Sequence, residues 1–223
     1  MKKIKLIKIT FLPEKFTPSD IPRLRQFLAR RFPQYNEIHN HDANGKFRFV
    51  YPEIQFKFID KEPMIVGYGK GFEILTEVFM KIGYFELNHR RIEVPEKSIQ
   101  IYESQIGESE EFCHYKFITP WMALNQRNYE EFKKSNIGKW EDKLNRILWG
   151  NLRALAHGFD YWLPDPEKIE VKGDFQLHTS QFKGNTMLTF TGSFKTNFHI
   201  PEYLGLGKQV ARGYGTVVKY SGN

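Results

Sequence analysis

Two histidines separated by one residue, His39 and His41, are the side chains whose chemistry is easiest to name. They lie in a polar stretch, residues 35–45, which reads YNEIHNHDANG. An imidazole has an ordinary pKa near 6.5, so at neutral pH it can either accept or donate a proton. Cutting RNA without a metal ion needs both actions, one on the attacking 2′-hydroxyl and one on the departing 5′-oxygen. If this segment is extended, alternate side chains share a face, and the two rings could flank one phosphate.

The histidine pair is also compatible with metal binding or with a loop that has no chemical role. His-x-His is also a frequent metal-ligand pattern. A metallo-β-lactamase-like site would continue with Asp and His, but Ala43 and Asn44 stand at those positions. An amidohydrolase barrel typically needs about 250 residues, more than the 223 of this chain. A two-histidine metal site completed by remote residues stays open, as does a polar loop without chemistry.

Cationic and phenolic side chains follow or precede the pair closely. Lys46 and Arg48 are placed in sequence to neutralise a pentacoordinate phosphorus, a role worth several kcal/mol in comparable sites. Tyr35 and Tyr51 are the nearby candidates for a third proton-transfer group. The sequence does not decide between them, nor does it say which histidine would be the acid and which the base.

A glycine-rich loop near the C-terminus, residues 205–215, reads GLGKQVARGYG. Glycines at this density let the backbone approach a phosphate and turn its N–H groups towards it. A dinucleotide fingerprint would need glycine at Val210, and a P-loop would need Ser or Thr at Gln209. A turn that uses glycine only for its geometry is the competing interpretation. The candidate RNA-binding residues of this loop are Gly205, Gly207, Lys208, Arg212, Gly213 and Gly215.

Composition narrows the choice of partner and compartment. The formal net charge is +7 and the pI about 9.3, which favours an anionic partner, nucleic acid ahead of an anionic membrane. Aromatic residues make up 16% of the chain, and exposed rings can stack on unpaired bases. Cys113 is the only cysteine, so no intramolecular disulfide can form. No segment resembles a signal peptide or a membrane span, and we expect a cytoplasmic protein.

Hydrophobic periodicity predicts the elements that position these residues. Alternation over 3–12 indicates a strand, and a helical stripe from Ile21 to Leu28 ends before Pro33. Together with the segments that follow, the first half reads β-α-β-β-α-β, the ferredoxin-like order. The later elements of this half are strands at 47–51, 54–59 and 64–66, a helix at 72–82, and strands at 91–94 and 98–103.

The second half is expected to vary the same plan. The segment 107–111, GESEE, lacks apolar residues and is the candidate linker between domains spanning 1–106 and 112–223. Cys113 is expected to be buried. The predicted elements are a strand at 113–118, helices at 124–134 and 139–157, strands at 169–178 and 186–198, a helical piece near 203 and a strand at 216–220. The expected fold class is α+β, with two tandem ferredoxin-like domains.

The pattern Gly-x-Gly, five residues, Gly-x-Gly at the end of such a chain resembles a known family. It is similar to the C-terminal loop of the CRISPR repeat-cleaving endoribonucleases, the Cas-six family of the repeat-associated mysterious protein superfamily. The histidine pair after the first helix resembles the b-type branch. Family members place the loop against RNA on the second of two ferredoxin-like domains.

This resemblance implies a metal-independent endoribonuclease that cuts CRISPR repeat RNA. Attack by the 2′-hydroxyl would leave a 2′,3′-cyclic phosphate and a 5′-hydroxyl. The implied partners are repeat RNA and mature guide RNA, with other CRISPR-associated proteins as further candidates, and no cofactor is implied. Two alternatives stay open: a protein that binds guide RNA without cutting it, and a metal-dependent nuclease that uses the same histidines. Monomer and homodimer are both open.

Overall fold

The computed structural model describes residues 1–39, 51–134, 140–182 and 184–221, with the backbone alone for 133 and 134. The chain divides into two compact units. We call Ile4–Ser104 together with Ala211–Gly213 the N-terminal unit, and the described remainder the C-terminal unit. The strand expected at 47–51 lies outside the described residues except for Tyr51, which is not in a strand.

Strands β1 (Lys2–Leu12), β2 (Ile54–Ile59), β3 (Glu62–Tyr68) and the first part of β6 (Glu96–Trp121) form the sheet of the N-terminal unit in the order β6-β1-β3-β2. The β1–β3 and β2–β3 pairs are antiparallel. The chain order of this unit, with one short helix and one hairpin added, is β-α-β-β-α-β, which with this strand order is the ferredoxin-like arrangement. The unit also contains α1 (Ile21–Arg31), α2 (Asn36–His39), α3 (Lys70–Lys81), β4 (Tyr84–Leu87) and β5 (Arg90–Glu93).

The core of this unit lies between the sheet and the two longer helices. In β1, Ile7, Ile9 and Phe11 alternate on one face and are fully buried. Leu24 and Leu28, one turn apart on α1, pack into the same cluster, so the helix buries its apolar stripe against that face. Members from β2 and α3 complete the cluster: Ile54, Phe56, Ile74, Leu75 and Val78.

The short helix α2 and strand β4 of this unit were not expected from the sequence, whereas β5 matches the strand expected at 91–94. The four-residue helix α2 has one buried apolar residue, Ile38, which is too little for a periodic signal. The β4–β5 hairpin closes on Asn88 and His89, which both have positive φ, 50° and 61°. Such turns usually carry glycine, and without it the turn signal was missing.

The C-terminal unit repeats the strand order with other lengths. Its sheet joins β6 to β7 (Val171–Phe182), β8 (Asn185–His199) and β9 (Val217–Lys219) in the order β9-β6-β8-β7. The β6–β8, β6–β9 and β7–β8 pairs are antiparallel. Helix α5 lays Leu144, Leu148, Leu152 and Leu155 into the core at spacings of four, four and three. Both units are therefore ferredoxin-like, and the expected α+β class is confirmed. The C-terminal unit also contains α4 (Gln126–Lys134) and α5 (Trp140–Gly158).

Three details of the second half differ from expectation. Residues 107–111 lie within β6, where Gly107 pairs with His199, and the register against β8 shifts between Glu108 and Cys113. Cys113 is half-exposed, and its Sγ lies 3.4 Å from His199 Nδ1. No helix forms at Tyr203, whose φ of 65° is left-handed; the nearest helical turn is a 3-10 turn at Val210–Arg212. Across the described ranges, no helix is both long and apolar enough to span a membrane.

Candidate functional site

His39 is the last residue of α2, and its side chain is exposed. The backbone of His39 is held by Arg25, a buried residue of α1. The Arg25 guanidinium donates Nε–H to the Ile38 carbonyl at 2.8 Å and Nη2–H to the His39 carbonyl. A helix C-terminus exposes carbonyls without partners in the helix, and a cation there also complements the helix dipole. Arg25 therefore fixes the turn from which the His39 ring projects.

The Arg25 guanidinium is influenced by a second cation of the N-terminal unit, Arg212. Burial, and to a smaller extent the positive charge of Arg212, lowers the pKa of Arg25 to about 10. Arg212 belongs to the three loop residues of this unit, Ala211–Gly213. Two guanidinium groups near each other repel, so the pair is stabilised when an anion binds between or beside them. A phosphodiester is such an anion.

The loop tip approaches β2 closely at Gly213. Gly213 has φ of 88°, and a Cβ built there would lie 2.9 Å from the Phe56 carbonyl oxygen and 3.2 Å from the Lys57 Cα. Any other residue would both strain the backbone and push the loop away from the strand. Glycine at this position therefore sets where the neighbouring Arg212 side chain begins.

Lys57 is a cation in the interior of the same unit. On β2 it alternates with Phe56 and Phe58, so it points to the sheet face opposite the helices, beside Gln55. Its side chain is fully buried, and Nζ donates to Gln55 Oε1 at 3.0 Å. Burial disfavours the charged form and lowers the pKa of Lys57 to about 7.

Replacing Lys57 with methionine should change how stability depends on pH. The folded pKa is about 7 against about 10.5 for the ordinary group. Between these values the unfolded chain binds a proton that the folded protein releases, so wild-type stability should rise with pH by up to about 1.4 kcal/mol per unit. The Lys57→Met variant lacks this pH-dependent contribution. Its free energy of unfolding should exceed that of wild type by most below about pH 7. Denaturant unfolding of both proteins across this range measures the difference; parallel curves would contradict the prediction.

The rest of the glycine-rich loop is folded back on the C-terminal unit. A Cβ at Gly215, φ 66°, would lie 2.0 Å from the Leu206 carbonyl oxygen, so no larger residue fits. Gly205 forms an isolated bridge with Thr216, and the Lys208 N–H donates to the Met122 carbonyl at 3.0 Å. Packing within the loop is therefore one role of these glycines. The Lys208 side chain is exposed and available to an anion.

A Cβ at Gly207 would meet a side chain of the same unit. Gly207 has φ of 88°, and the built Cβ would lie 2.6 Å from Trp121 Nε1. Trp121 is fully buried, and its Nε1–H donates to Asn151 Oδ1 at 3.1 Å. The indole cannot move aside without breaking that hydrogen bond, so Gly207 is required by packing.

The tyrosines proposed as a third group differ in their surroundings. The Tyr35 hydroxyl donates to the Glu77 carboxylate, and this hydrogen bond raises the pKa of Tyr35. Its proton is thereby held by a structural partner. The Tyr51 carbonyl accepts from the Tyr68 hydroxyl at 3.2 Å, and the two rings lie 6.2 Å apart. Tyr51 stays a candidate for the third group, and the Tyr35 hydroxyl is engaged by Glu77.

Three of the expected site residues, His41, Lys46 and Arg48, lie outside the described residues. The extended conformation assumed for the histidine pair is not seen at His39, which is helical. Arg25 and Lys57 were missed. For Arg25 a signal existed: it lies four residues after Ile21, inside the apolar stripe of α1, where a charge needs a partner. Among the described residues, no three His, Cys, Asp or Glu side chains are grouped as metal ligands.

Comparisons with known proteins agree along the whole chain. A family model described as the Cas6b N-terminal domain matches residues 2–105, and one described as the Cas6b C-terminal domain matches 107–220. An uncharacterized protein of Methanocaldococcus jannaschii is 32% identical over 145 residues, which are 65% of this chain and 98% of that protein.

Solved structures are similar over nearly the full length. A crystal structure of Cas6b aligns with a TM-score of 0.89 and 32% identity, over 98% of this chain and 100% of that one. A crystal structure of the CRISPR RNA processing endoribonuclease Cas6b aligns with a TM-score of 0.79 and 30% identity at the same coverage. A Cas6 product complex, with a TM-score of 0.63 and 11% identity over 97% of this chain and 99% of that one, is similar in fold alone.

Proposed function

Because this chain belongs to the Cas6b family, we propose that it binds CRISPR repeat RNA in precursor transcripts and cleaves it to release guide RNAs. The observation that carries this proposal is the turn at His39. An exposed imidazole is presented there on a backbone that the buried Arg25 holds, in a unit that also contains Arg212. A proton-transfer group and fixed positive charge are the two requirements of phosphodiester cleavage without a metal ion.

The proposed reaction uses the two histidines in opposite roles. One neutral imidazole removes the proton of the 2′-hydroxyl, and the 2′-oxygen attacks the adjacent phosphorus in line. The bond from phosphorus to the 5′-oxygen breaks, and this oxygen takes a proton from the other imidazole, which starts protonated. The products are a 2′,3′-cyclic phosphate and a 5′-hydroxyl. His39 supplies one of the roles and His41 the other.

Cations stabilise the charge that develops on the phosphorane oxygens. In this proposal the stabilising positive charge comes from Lys46, Arg48 and Arg212. A positive charge that is fixed before the reaction need not reorganise as the transition state forms. The glycine-rich loop and the exposed Lys208 hold the strand on either side. The histidines lie in the first proposed domain, 1–106, and this loop in the second, 112–223, although its residues Ala211–Gly213 belong to the N-terminal unit.

The proposal involves repeat RNA and its guide-RNA product, without a metal ion or an organic cofactor. Phosphate contacts survive the cut, so we expect the product to stay bound and its affinity to fall steeply with salt. Other CRISPR-associated proteins are candidate partners of the complex of protein and guide RNA. Monomeric and homodimeric forms both accommodate this chemistry.

Cleavage in the presence of EDTA tests this proposal. We expect the purified protein to cut the repeat RNA of its own locus at one position with EDTA in excess. The upstream product should resist end-labelling that needs a free 3′-hydroxyl, and the downstream product should accept a 5′-phosphate from a kinase. Activity that EDTA abolishes and a divalent ion restores would favour a metal-dependent nuclease. Tight binding without any cut would leave the guide-RNA-binding alternative.

A further inference from the structure

A groove of about 480 Å³ lies in the N-terminal unit between the exposed side of α1 and the β4–β5 hairpin. Helix α1 presents different residues to its two sides. Arg25 points into the unit and holds the His39 turn, whereas Arg23 and Arg30 are exposed on the groove side. Helix α1 therefore has two functional sides: one carries Arg25, which positions His39, and the other lines the groove.

The groove is lined by more cation than anion. Arg23, Arg30 and Arg31 line it, with Glu86 as the opposing carboxylate. Arg23 Nη1 is paired with Asp20 Oδ1 at 2.9 Å. Within the ranges that the structure describes, no carboxylate pairs with Arg30 or Arg31. Two guanidinium groups are therefore available to a ligand.

The spacing of the arginines suits a repeating anion. Arg23 and Arg30 are seven residues apart on one helix, about 10.5 Å along its axis. With their backbones this far apart, the two guanidinium groups can bind different phosphates of the same chain. Guanidinium groups bind phosphate oxygens in pairs of parallel hydrogen bonds, which adds geometric preference to charge.

Aromatic rings line the same groove. Phe27 and Tyr84 are half-buried there, with centroids 6.2 Å apart at a tilt of 53°. The Arg91 guanidinium lies 3.9 Å from the centroid of the Tyr84 ring. Rings and guanidinium planes are the surfaces on which unpaired bases stack, while a double-stranded RNA would offer only its backbone.

The hairpin turn at the mouth of the groove is conformationally costly. Asn88 and His89 both line the groove and both have positive φ, 50° and 61°. Glycine would adopt the φ of His89 at no steric cost. Residues held in sparsely populated conformations cluster at binding sites. The turn therefore places an amide and an imidazole, which can hydrogen-bond base edges or 2′-hydroxyls, in the lining of the groove.

We propose that this groove binds an unpaired segment of the repeat RNA, away from the scissile nucleotides, with different phosphates of the strand on the α1 arginines and a base against the Tyr84 ring. This inference rests on the proposed function for the identity of the ligand. The interleaving of cations with rings favours single-stranded nucleic acid over a simple phosphate or an acidic peptide.

The test compares two variants of equal net charge. Arg30→Gln/Arg31→Gln removes the two available groove cations. Lys61→Gln/Arg127→Gln removes two exposed cations that do not line the groove. Each is titrated with full-length repeat RNA and with RNAs shortened stepwise from either end, across a range of salt concentrations. Single-turnover cleavage is measured at saturating RNA.

We expect the groove variant to bind full-length repeat about tenfold to 100-fold more weakly than the control. The slope of log affinity against log salt should fall by about 1.4, from two contacts at about 0.7 each on single-stranded RNA. Cleavage at saturation should stay within about twofold of wild type, because these residues are not at the reacting phosphate. Shortening the RNA from one end should erase the difference from wild type.

Two results would overturn the groove proposal alone while wild type still cleaves: equal binding by the groove and control variants, or a deficit that persists on every shortened RNA. If wild type neither binds nor cleaves repeat RNA, the proposed function fails and the ligand assigned to the groove fails with it. These outcomes are separated by the wild-type measurement in the same experiment.

Discussion

Replacing His39 with alanine is expected to slow single-turnover cleavage of repeat RNA by about 10²- to 10⁴-fold, the usual contribution of a positioned general acid or base. RNA affinity should stay within about twofold of wild type, because phosphate contacts made by arginine and lysine dominate binding. Stability should change little, since the His39 side chain is exposed and its backbone is held by Arg25.

The measurement is a single-turnover time course at saturating RNA, with thermal unfolding as a check on folding. His178→Ala, an exposed histidine of β7 in the C-terminal unit, is the matched control and should cleave like wild type. His41→Ala should fall in the same range as His39→Ala. If the two act on one phosphate, the double variant should lose far less than the product of the single losses. Wild-type cleavage by His39→Ala would remove this residue from the mechanism.

Arg25→Lys is expected to slow cleavage by about tenfold to 100-fold at saturating RNA. Lysine keeps the charge but cannot satisfy the Ile38 and His39 carbonyls in the forked geometry of the guanidinium. A buried carbonyl left without its donor costs about 1–3 kcal/mol. The turn can escape this cost only by moving, and a displacement of about 1 Å at a reacting group can cost 10²-fold in rate. RNA affinity should change little, because Arg25 is buried.

A double-variant cycle separates positioning of His39 from general damage. In the His39→Ala background, Arg25→Lys should have little further effect on the cleavage rate, since there is no longer an imidazole to misplace. General loosening of the unit would instead slow both backgrounds equally. Arg153→Lys, at a half-buried arginine stacked on Trp149 of α5, is the matched control. Additive effects of Arg25→Lys and His39→Ala would contradict the positioning role.

Most of the fold could be predicted from hydrophobic period alone. The alternation in β1 and the stripe of α5 are regular because each element buries a single face. The short helix α2, and strand β4 with the turn that joins it to β5, were missed for a physical reason. Four residues do not complete a helical period, and the hairpin turns on Asn88 and His89 without the glycine that marks such turns. The family resemblance read from the glycine spacing is confirmed by both family models.

The site was only partly accessible to sequence reasoning. The histidine pair stands out because its chemistry is unusual at neutral pH, whatever the fold. Lys57 did not stand out, because a polar residue alternating with Phe56 and Phe58 reads as the exposed side of a strand. In the structure that side is buried. Whether this side of β2 is buried depends on contacts between segments that are distant in the sequence. The local sequence pattern carries no information about those contacts.

The central claim is that imidazoles move protons between a 2′-hydroxyl and a 5′-oxygen on one phosphodiester. Repeat RNA with a single 2′-deoxy nucleotide at the cut site, incubated with wild-type protein in EDTA, tests it most directly. The account predicts that this RNA binds with the affinity of the unmodified repeat and stays intact, while the unmodified repeat is cut. Cleavage of the deoxy substrate at the same position would show that water or a metal-bound hydroxide is the nucleophile, and the account would be wrong.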